Sequence, residues 1–195
     1  MITVYASGMS RSRRVLWACE EAGAPYEVVE LQWPPACSPG YLEINPAGTV
    51  PAILDGDLVL TESLAICEYV ARKRRQDLIF EPGAPGYWRY LELALFGEAT
   101  LQPTLAWARR FGHFAAAATD HAREAFALRC GVIDKALADG RDWLMGDRFT
   151  CADISVGFSL LAAPGVGLGD LIPPGVAAYA ARLQDRPACR RAYDR

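Results

Sequence analysis

No two cysteines of this chain are separated by two residues, only two histidines occur, and no apolar run is long and uninterrupted enough to read as a membrane span. The six cysteines, Cys19, Cys37, Cys67, Cys130, Cys151 and Cys189, therefore carry no CxxC motif, and with His113 and His121 they form no metal-ligand cluster. Neither a zinc site nor dithiol exchange by the chain's own sulfur is expected. Cys19, Cys67 and Cys130 fall within helical apolar patterns and read as reduced, buried small hydrophobes, whereas Cys37 lies in the loop PPACSPG. An excess of one charge is also missing. The 20 basic residues stand against 23 acidic ones, a net charge of -3, which gives no field attractive to a polyphosphate, so nucleic acid is not an expected partner. The start of the chain, MITVYASGMSRSRR, places its apolar run before its arginines, the reverse of a secretory signal, and a cytoplasmic protein is expected. The uncharged stretch 155–169 is broken by Pro164 and four glycines and flanked by Asp153 and Asp170, so no membrane association is expected either.

What is present is enough apolar material for a packed core. Over 195 residues, 52% are hydrophobic and 10% aromatic, which suits one domain or two small ones. Residues 2–6 (ITVYA) read as a buried strand closed by Ser7-Gly8. A helix follows, with Val15, Leu16, Ala18, Cys19 and Ala22 at helical spacing, Ser10 or Ser12 to cap its start, and Gly23 where a terminal glycine belongs. Residues 26–31 (YEVVEL) form a second strand, so the unit is βαβ with its two strands parallel. The proline-rich stretch 32–49 reads mostly as loop. Strands at 51–54 and 58–61 are joined across Asp55-Gly56-Asp57, which suits a turn of positive φ, and a helix runs from Glu62 to about Arg75. The basic run at its end, Arg72 to Arg75, favours the helix dipole and reads as a solvated terminus.

After Gln76 the pattern changes. FEPGAPG (80–86) is a linker, and beyond it only helices are expected: 87–111 with a kink at Pro103, 120–138, 151–163, and two short ones near 176–184 and 188–193. The expected division is an N-terminal domain over 1–77, a linker over 78–86 and an all-helical domain over 87–195. Thr150-Cys151-Ala152-Asp153 fits a capping box, with Thr150 at the N-cap and Asp153 reaching back.

The stretch NPAGTVPAILDGDLVLTESLAI (45–66) raises a chemical question. A helix N-terminus exposes backbone N–H groups and partial positive charge, a seat for a carboxylate. With Thr61 as N-cap, Glu62 and Ser63 fall in the first turn, where Ser63 can donate to a ligand carboxylate and Glu62 can accept from an ammonium. At the other end, Pro51 cannot donate, which leaves the Val50 backbone able to pair with an extended peptide. Together these suit a peptide ligand with an amino-acid head group. On composition alone Thr61 merely caps a helix and Pro51 merely opens a strand.

The order of elements, and three separated motifs, resemble the cytosolic glutathione S-transferases of bacterial type over the whole chain. The motifs are SRSRRVLWACEEAGAPYEVVEL, YLEINPAGTVPAILDGDLVLTESLAICEYV and WLMGDRFTCADISV. The resemblance implies a thioredoxin-like α/β N-terminal domain (βαβ-ββα) followed by an all-α helical domain. It also implies a cis Pro51, a glutathione clamp in which Val50 pairs with the cysteinyl backbone while Glu62 and Ser63 hold the γ-glutamyl group, and a homodimer.

In that fold the reactive group sits between the first strand and first helix, here Ser7-Gly8-Met9-Ser10. With no sulfur of its own, this site must borrow a thiol, and glutathione is the expected co-substrate, with no metal. By the resemblance, counting back from Arg14-Val15 places Ser10 at the helix start where the beta-type bacterial transferases carry a cysteine, which makes it the first candidate for the hydroxyl that favours the thiolate. Ser12, one step into the helix, and Tyr5, at the end of the first strand, are the other two. The small hydrophobic electrophile is expected between the loop carrying Met9 and the long helix, where Trp107 and Phe111 lie four apart on one face. Conjugation of glutathione to such an electrophile is the expected activity. A glutathione-dependent isomerase, lyase or peroxidase on the same fold, or a noncatalytic binding module, are the alternatives.

Overall fold

The computed structural model describes residues 1–111, 114 and 116–194; His113 lies outside the described residues. The chain divides into two compact units. One comprises Met1–Ile79 and the terminal helix Pro187–Tyr193, the other Phe80–Arg186.

The first unit holds β1 (Ile2–Ala6), α1 (Ser12–Ala22), β2 (Tyr26–Glu30), α2 (Tyr41–Ile44), β3 (Ala52–Asp55), β4 (Leu58–Thr61) and α3 (Ser63–Arg74). The sheet order is β2-β1-β3-β4, with β1 and β2 parallel and both other pairings antiparallel. This is the thioredoxin-like arrangement expected from the βαβ-ββα order. β1 lies inside the sheet and alternates buried and half-buried residues, with Val4 fully buried, as a central strand covered on one face must. α1 presents Val15, Leu16, Trp17, Ala18 and Cys19 to the interior, and Gly23 closes it at φ 58°. Its neighbours are α3 and the last helix, α9 (Pro187–Tyr193). Tyr193 packs edge-on to Trp17 with ring centroids 6.3 Å apart, and Arg191 donates to the Glu20 carboxylate at 2.5 Å.

Several local expectations are corrected here. Residues 187–193 belong with the first unit rather than the second, because they bury α1. β3 begins at Ala52, and the 32–49 stretch contains a short turn of 3-10 helix (Pro35–Cys37) and the single turn of α2. The basic run closing α3 is not merely solvated. Lys73 donates to Asp55 at 2.5 Å, Arg75 donates to the Glu21 carbonyl at 2.7 Å, and Arg72 pairs with Glu68 one turn earlier. The Lys73 ammonium, with help from the Tyr69 hydroxyl, holds the Asp55 carboxyl below its usual range.

The second unit contains α4 (Tyr87–Leu95), α5 (Gln102–Phe111), α6 (Ala116–Ala136), α7 (Cys151–Ala162) and α8 (Pro174–Asp185). α7 is buried nearly all round and forms the centre of this unit. The expected box at its start is present: the Thr150 side chain accepts from Ala152 N–H at 3.3 Å, and Asp153 accepts from Thr150 N–H at 2.8 Å. The long helix expected over 87–111 is interrupted earlier than Pro103, by a π-helical stretch at Phe96–Leu101. Pro103 follows directly, in the first turn of α5, where the helix runs on unbroken and Gln102 N–H bonds to the Gly97 carbonyl, so its missing N–H is one that would have faced the carbonyls of the π-helical stretch one turn earlier. The interruption follows from a close approach. A Cβ on Gly97 would lie 2.3 Å from Ser155 Oγ, so α7 touches the backbone there. Ser155 then donates to the Ala94 carbonyl at 2.7 Å, and Ser159 to that of Gly97 at 3.4 Å. No helix among the described residues is long and apolar enough to cross a membrane.

Candidate active site

Strand register brings the predicted residues to one end of the sheet. Tyr5 pairs with Ala52, and Ala52 pairs with Thr61 on its other side. The loop leaving β1, the Val50-Pro51 entrance to β3 and the Glu62-Ser63 start of α3 therefore emerge side by side. These three segments are the ones the sequence singled out.

The β1–α1 loop is fixed at Gly8. Its N–H donates to the Glu30 carboxylate at 2.6 Å, and its carbonyl accepts from Ser10 N–H at 3.0 Å and from Arg13 Nε at 3.2 Å. Met9 projects outward, 55% exposed. Ser10 is half-buried at the start of α1, and its Oγ accepts from Ser12 N–H at 3.3 Å while donating to Ser12 Oγ at 3.0 Å. Ser12 is fully buried, and the N-cap position itself is taken by Arg11. Tyr5 is half-buried, with its ring 5.6 Å from that of Tyr41.

The turn before β3 is built by residues the sequence analysis did not single out. Asn45, 4% exposed, donates through Nδ2 to the Thr49 carbonyl at 2.7 Å and accepts from Ala47 N–H at 3.1 Å. The buried Tyr41 hydroxyl donates to the same Thr49 carbonyl at 2.5 Å, and burial pushes that phenol above its usual pKa. Gly48 has φ 63°, and a Cβ there would come within 2.8 Å of Ala36. The Asn-Pro and Gly of NPAG were the available signal for this turn. The Val50-Pro51 peptide is cis, as the resemblance implied, and a second cis proline follows Trp33. The paired registers begin at Ala52, leaving Val50 outside the sheet ladder.

At the start of α3 the expected cap shifts by one residue. Thr61 is the last residue of β4, and Glu62 is the N-cap, with φ 68° and ψ 113°. It is the described non-glycine residue with positive φ, a conformation that costs about 1–3 kcal/mol and tends to occur where function requires it. Glu62 is exposed, whereas Ser63 is 3% exposed and its Oγ accepts from Arg14 Nη1 at 3.3 Å. Arg14 is fully buried and was not flagged by the sequence, because burial of an arginine has no hydropathy signal.

Trp107 and Phe111 lie on α5 in the second unit. Trp107 is turned toward α6, its ring 5.6 Å from His121 and 5.4 Å from the Arg129 guanidinium, while Phe111 is 47% exposed. The buried thiols are poor nucleophiles. Burial pushes Cys19 and Cys130 up to about 12 and moves Cys67 in the same direction. Among the described residues no group of three metal-binding side chains comes together.

A mixed four-stranded sheet in the order β2-β1-β3-β4, entered at β3 through a cis-proline, defines a thioredoxin-like domain. The comparisons agree. Residues 8–73 match the family model "Glutathione S-transferase, N-terminal domain". Glutathione S-transferase 1 of Zea mays is 32% identical, over 96% of this chain and 94% of the relative. A glutathione transferase from Methylococcus capsulatus str. Bath superimposes with TM-score 0.87 at 27% identity, covering 100% of this chain and 98% of its own. A Pseudomonas fluorescens Pf-5 family member solved with two glutathione bound gives TM-score 0.85 at 27% identity, over 98% and 92% of the chains. The chain belongs to the glutathione S-transferase family.

Proposed function

We propose that this chain binds glutathione at the end of the sheet and conjugates its thiolate to small hydrophobic electrophiles, acting in the cytoplasm as a homodimer. The observation that carries the reading is the register that aligns the Ser7–Ser10 loop, Val50-Pro51 and Glu62-Ser63 at one sheet end. In this reading Val50 pairs with the cysteinyl backbone beside Pro51. Ser63 O–H and the N-terminal amides of α3 hold the γ-glutamyl carboxylate, and Glu62 accepts from the ammonium. The Pseudomonas fluorescens structure with bound glutathione supports that ligand.

Ser10 is the proposed activating hydroxyl. It is the half-buried serine of the loop, whereas Ser12 has no exposed surface and holds Ser10 through its N–H and Oγ. Tyr5 is turned toward Tyr41. A free thiol has a pKa of about 8.5, so a donated hydrogen bond at a helix start favours thiolate at neutral pH. On glutathione binding the one Ser10 hydroxyl hydrogen turns from Ser12 Oγ to the sulfur, while Ser12 N–H stays on the Ser10 oxygen. The thiolate then forms the S–C bond, and either the leaving group departs with its electron pair or the carbanion takes a proton from water. Met9, beside Ser10, is the proposed apolar contact for the electrophile.

The test is a calorimetric titration of glutathione into the wild type and Ser63→Ala, with thiolate absorbance followed in the ultraviolet for the wild type and Ser10→Ala. Loss of one charge-assisted hydrogen bond predicts a Kd raised about tenfold or more in Ser63→Ala. Ser10→Ala should abolish the thiolate signal near neutral pH and slow conjugation to an activated aryl chloride. No binding at millimolar glutathione would remove this reading. Binding without a thiolate signal would favour a noncatalytic module.

A further inference from the structure

We infer that the adjacent arginines of α1 divide the positioning of this site between them: Arg14 orients Ser63 at one end, and Arg13 holds the loop of Ser10 at the other. The inference rests on the glutathione reading above and assigns it two residues that touch neither the thiol nor the electrophile. Two cations in succession on a helix whose interior positions are apolar are an expensive choice. Both are nonetheless buried, Arg14 completely and Arg13 to 9% exposure.

Their directions separate because consecutive helical residues point about 100° apart. Arg14 reaches across to α3 and donates Nη1–H to Ser63 Oγ at 3.3 Å. A guanidinium can only donate, so this contact uses a lone pair of the serine oxygen and leaves the hydroxyl hydrogen to be given away. A serine held in that way is a donor, which is what a ligand carboxylate needs.

Arg13 points the other way. Its Nε donates to the Gly8 carbonyl at 3.2 Å, and its Nη1 donates to the Ala192 carbonyl at 2.7 Å. One planar group thus ties the loop that carries Ser10 to α9. The Glu30 carboxylate takes the N–H of the same Gly8, so the loop is gripped from both sides of that residue. Arg13 is therefore a positioning residue for the Ser10 hydroxyl, and Arg14 is one for Ser63.

The experiment is a crossed comparison in the full chain. Arg14→Met and Arg13→Met are each made alone, and Arg14→Met also with Ser63→Ala. Glutathione Kd is read by calorimetry, and the pH midpoint of thiolate absorbance is read at saturating glutathione. Arg14→Met should raise Kd about tenfold in the native background and by less than about twofold once Ser63 is alanine, leaving the thiolate midpoint in place. Arg13→Met should raise the thiolate midpoint by about one pH unit, with a much smaller change in Kd. A buried arginine replaced by methionine can fail to fold, so Arg14→Lys and Arg13→Lys are carried through the same scheme. They keep the charge but not the fork, and should show the same separation at smaller size. Equal losses from Arg14 variants with and without Ser63, or the same mixed loss from both arginines, would overturn the inference while leaving glutathione binding intact. A wild type that binds no glutathione would overturn the proposed function first, and this inference with it.

Discussion

Asp153 has no part in the proposed chemistry, yet it is the most strongly conditioned carboxyl of the second unit. It accepts from Leu144 N–H at 2.9 Å, Thr150 N–H at 2.8 Å and Tyr179 O–H at 2.8 Å. Complete burial outweighs these donors and pushes its pKa up to about 6. In the unfolded chain an aspartate titrates near 3.9, so the folded state binds the proton more tightly. The stability that this group contributes is therefore fully present below about pH 4 and is lost as pH rises through about 6. The amount is about 3 kcal/mol. Urea unfolding of the wild type and Asp153→Asn at a series of pH values would show it. The stability of the wild type relative to the variant should fall between about pH 4 and 6 and then level off. A rise over that range would mean that the hydrogen bonds prevail over burial.

At the scale of elements, the break in the long helix is a packing event imposed by another helix. Gly97 meets Ser155 and Val156 so closely that a methyl group there would lie 2.7 Å from backbone atoms of both. Neither can yield as a flexible side-chain tip would. Gly97→Ala should accordingly destabilise the second unit by about 1–3 kcal/mol, read as a lowered urea midpoint in far-ultraviolet circular dichroism. An unchanged midpoint would show that α4 and α7 can move apart freely. The same element shows where sequence reading stops. Periodicity, the terminal Gly23 and the Thr150–Asp153 box are legible because their partners lie within a few residues. The π-helical stretch is not, because its cause lies on α7, 61 residues beyond Ala94. The site divides in the same way. Ser10, Val50-Pro51 and Glu62-Ser63 are candidates offered by local chain chemistry together with the family resemblance. The Arg14–Ser63 hydrogen bond spans 49 residues, and Arg13–Ala192 spans 179, beyond what any local pattern encodes. Thr61 was misplaced as the cap because β4 keeps its last pairing, with Ala52, and hands the cap position to Glu62.

For the whole molecule, the division into units does not follow the order of the chain. α9 covers α1 through Tyr193 on Trp17 and through the Arg13–Ala192 and Arg191–Glu20 contacts. Truncation before Pro187 should therefore loosen the first unit selectively. Hydrogen exchange should show protection lost at the amides of α1 and retained in α6 and α7. Equal loosening of both units would contradict this assignment. The arrangement also bears on biosynthesis. A ribosome delivers β1, α1 and the rest of the sheet first, but their last packing partner is residues 187–193. All of Phe80–Arg186 leaves the exit tunnel before that partner does. The segment made second thus has all its residues available first, and the nascent β1–α3 segment must persist with one side of α1 uncovered through more than a hundred further rounds of peptide-bond formation.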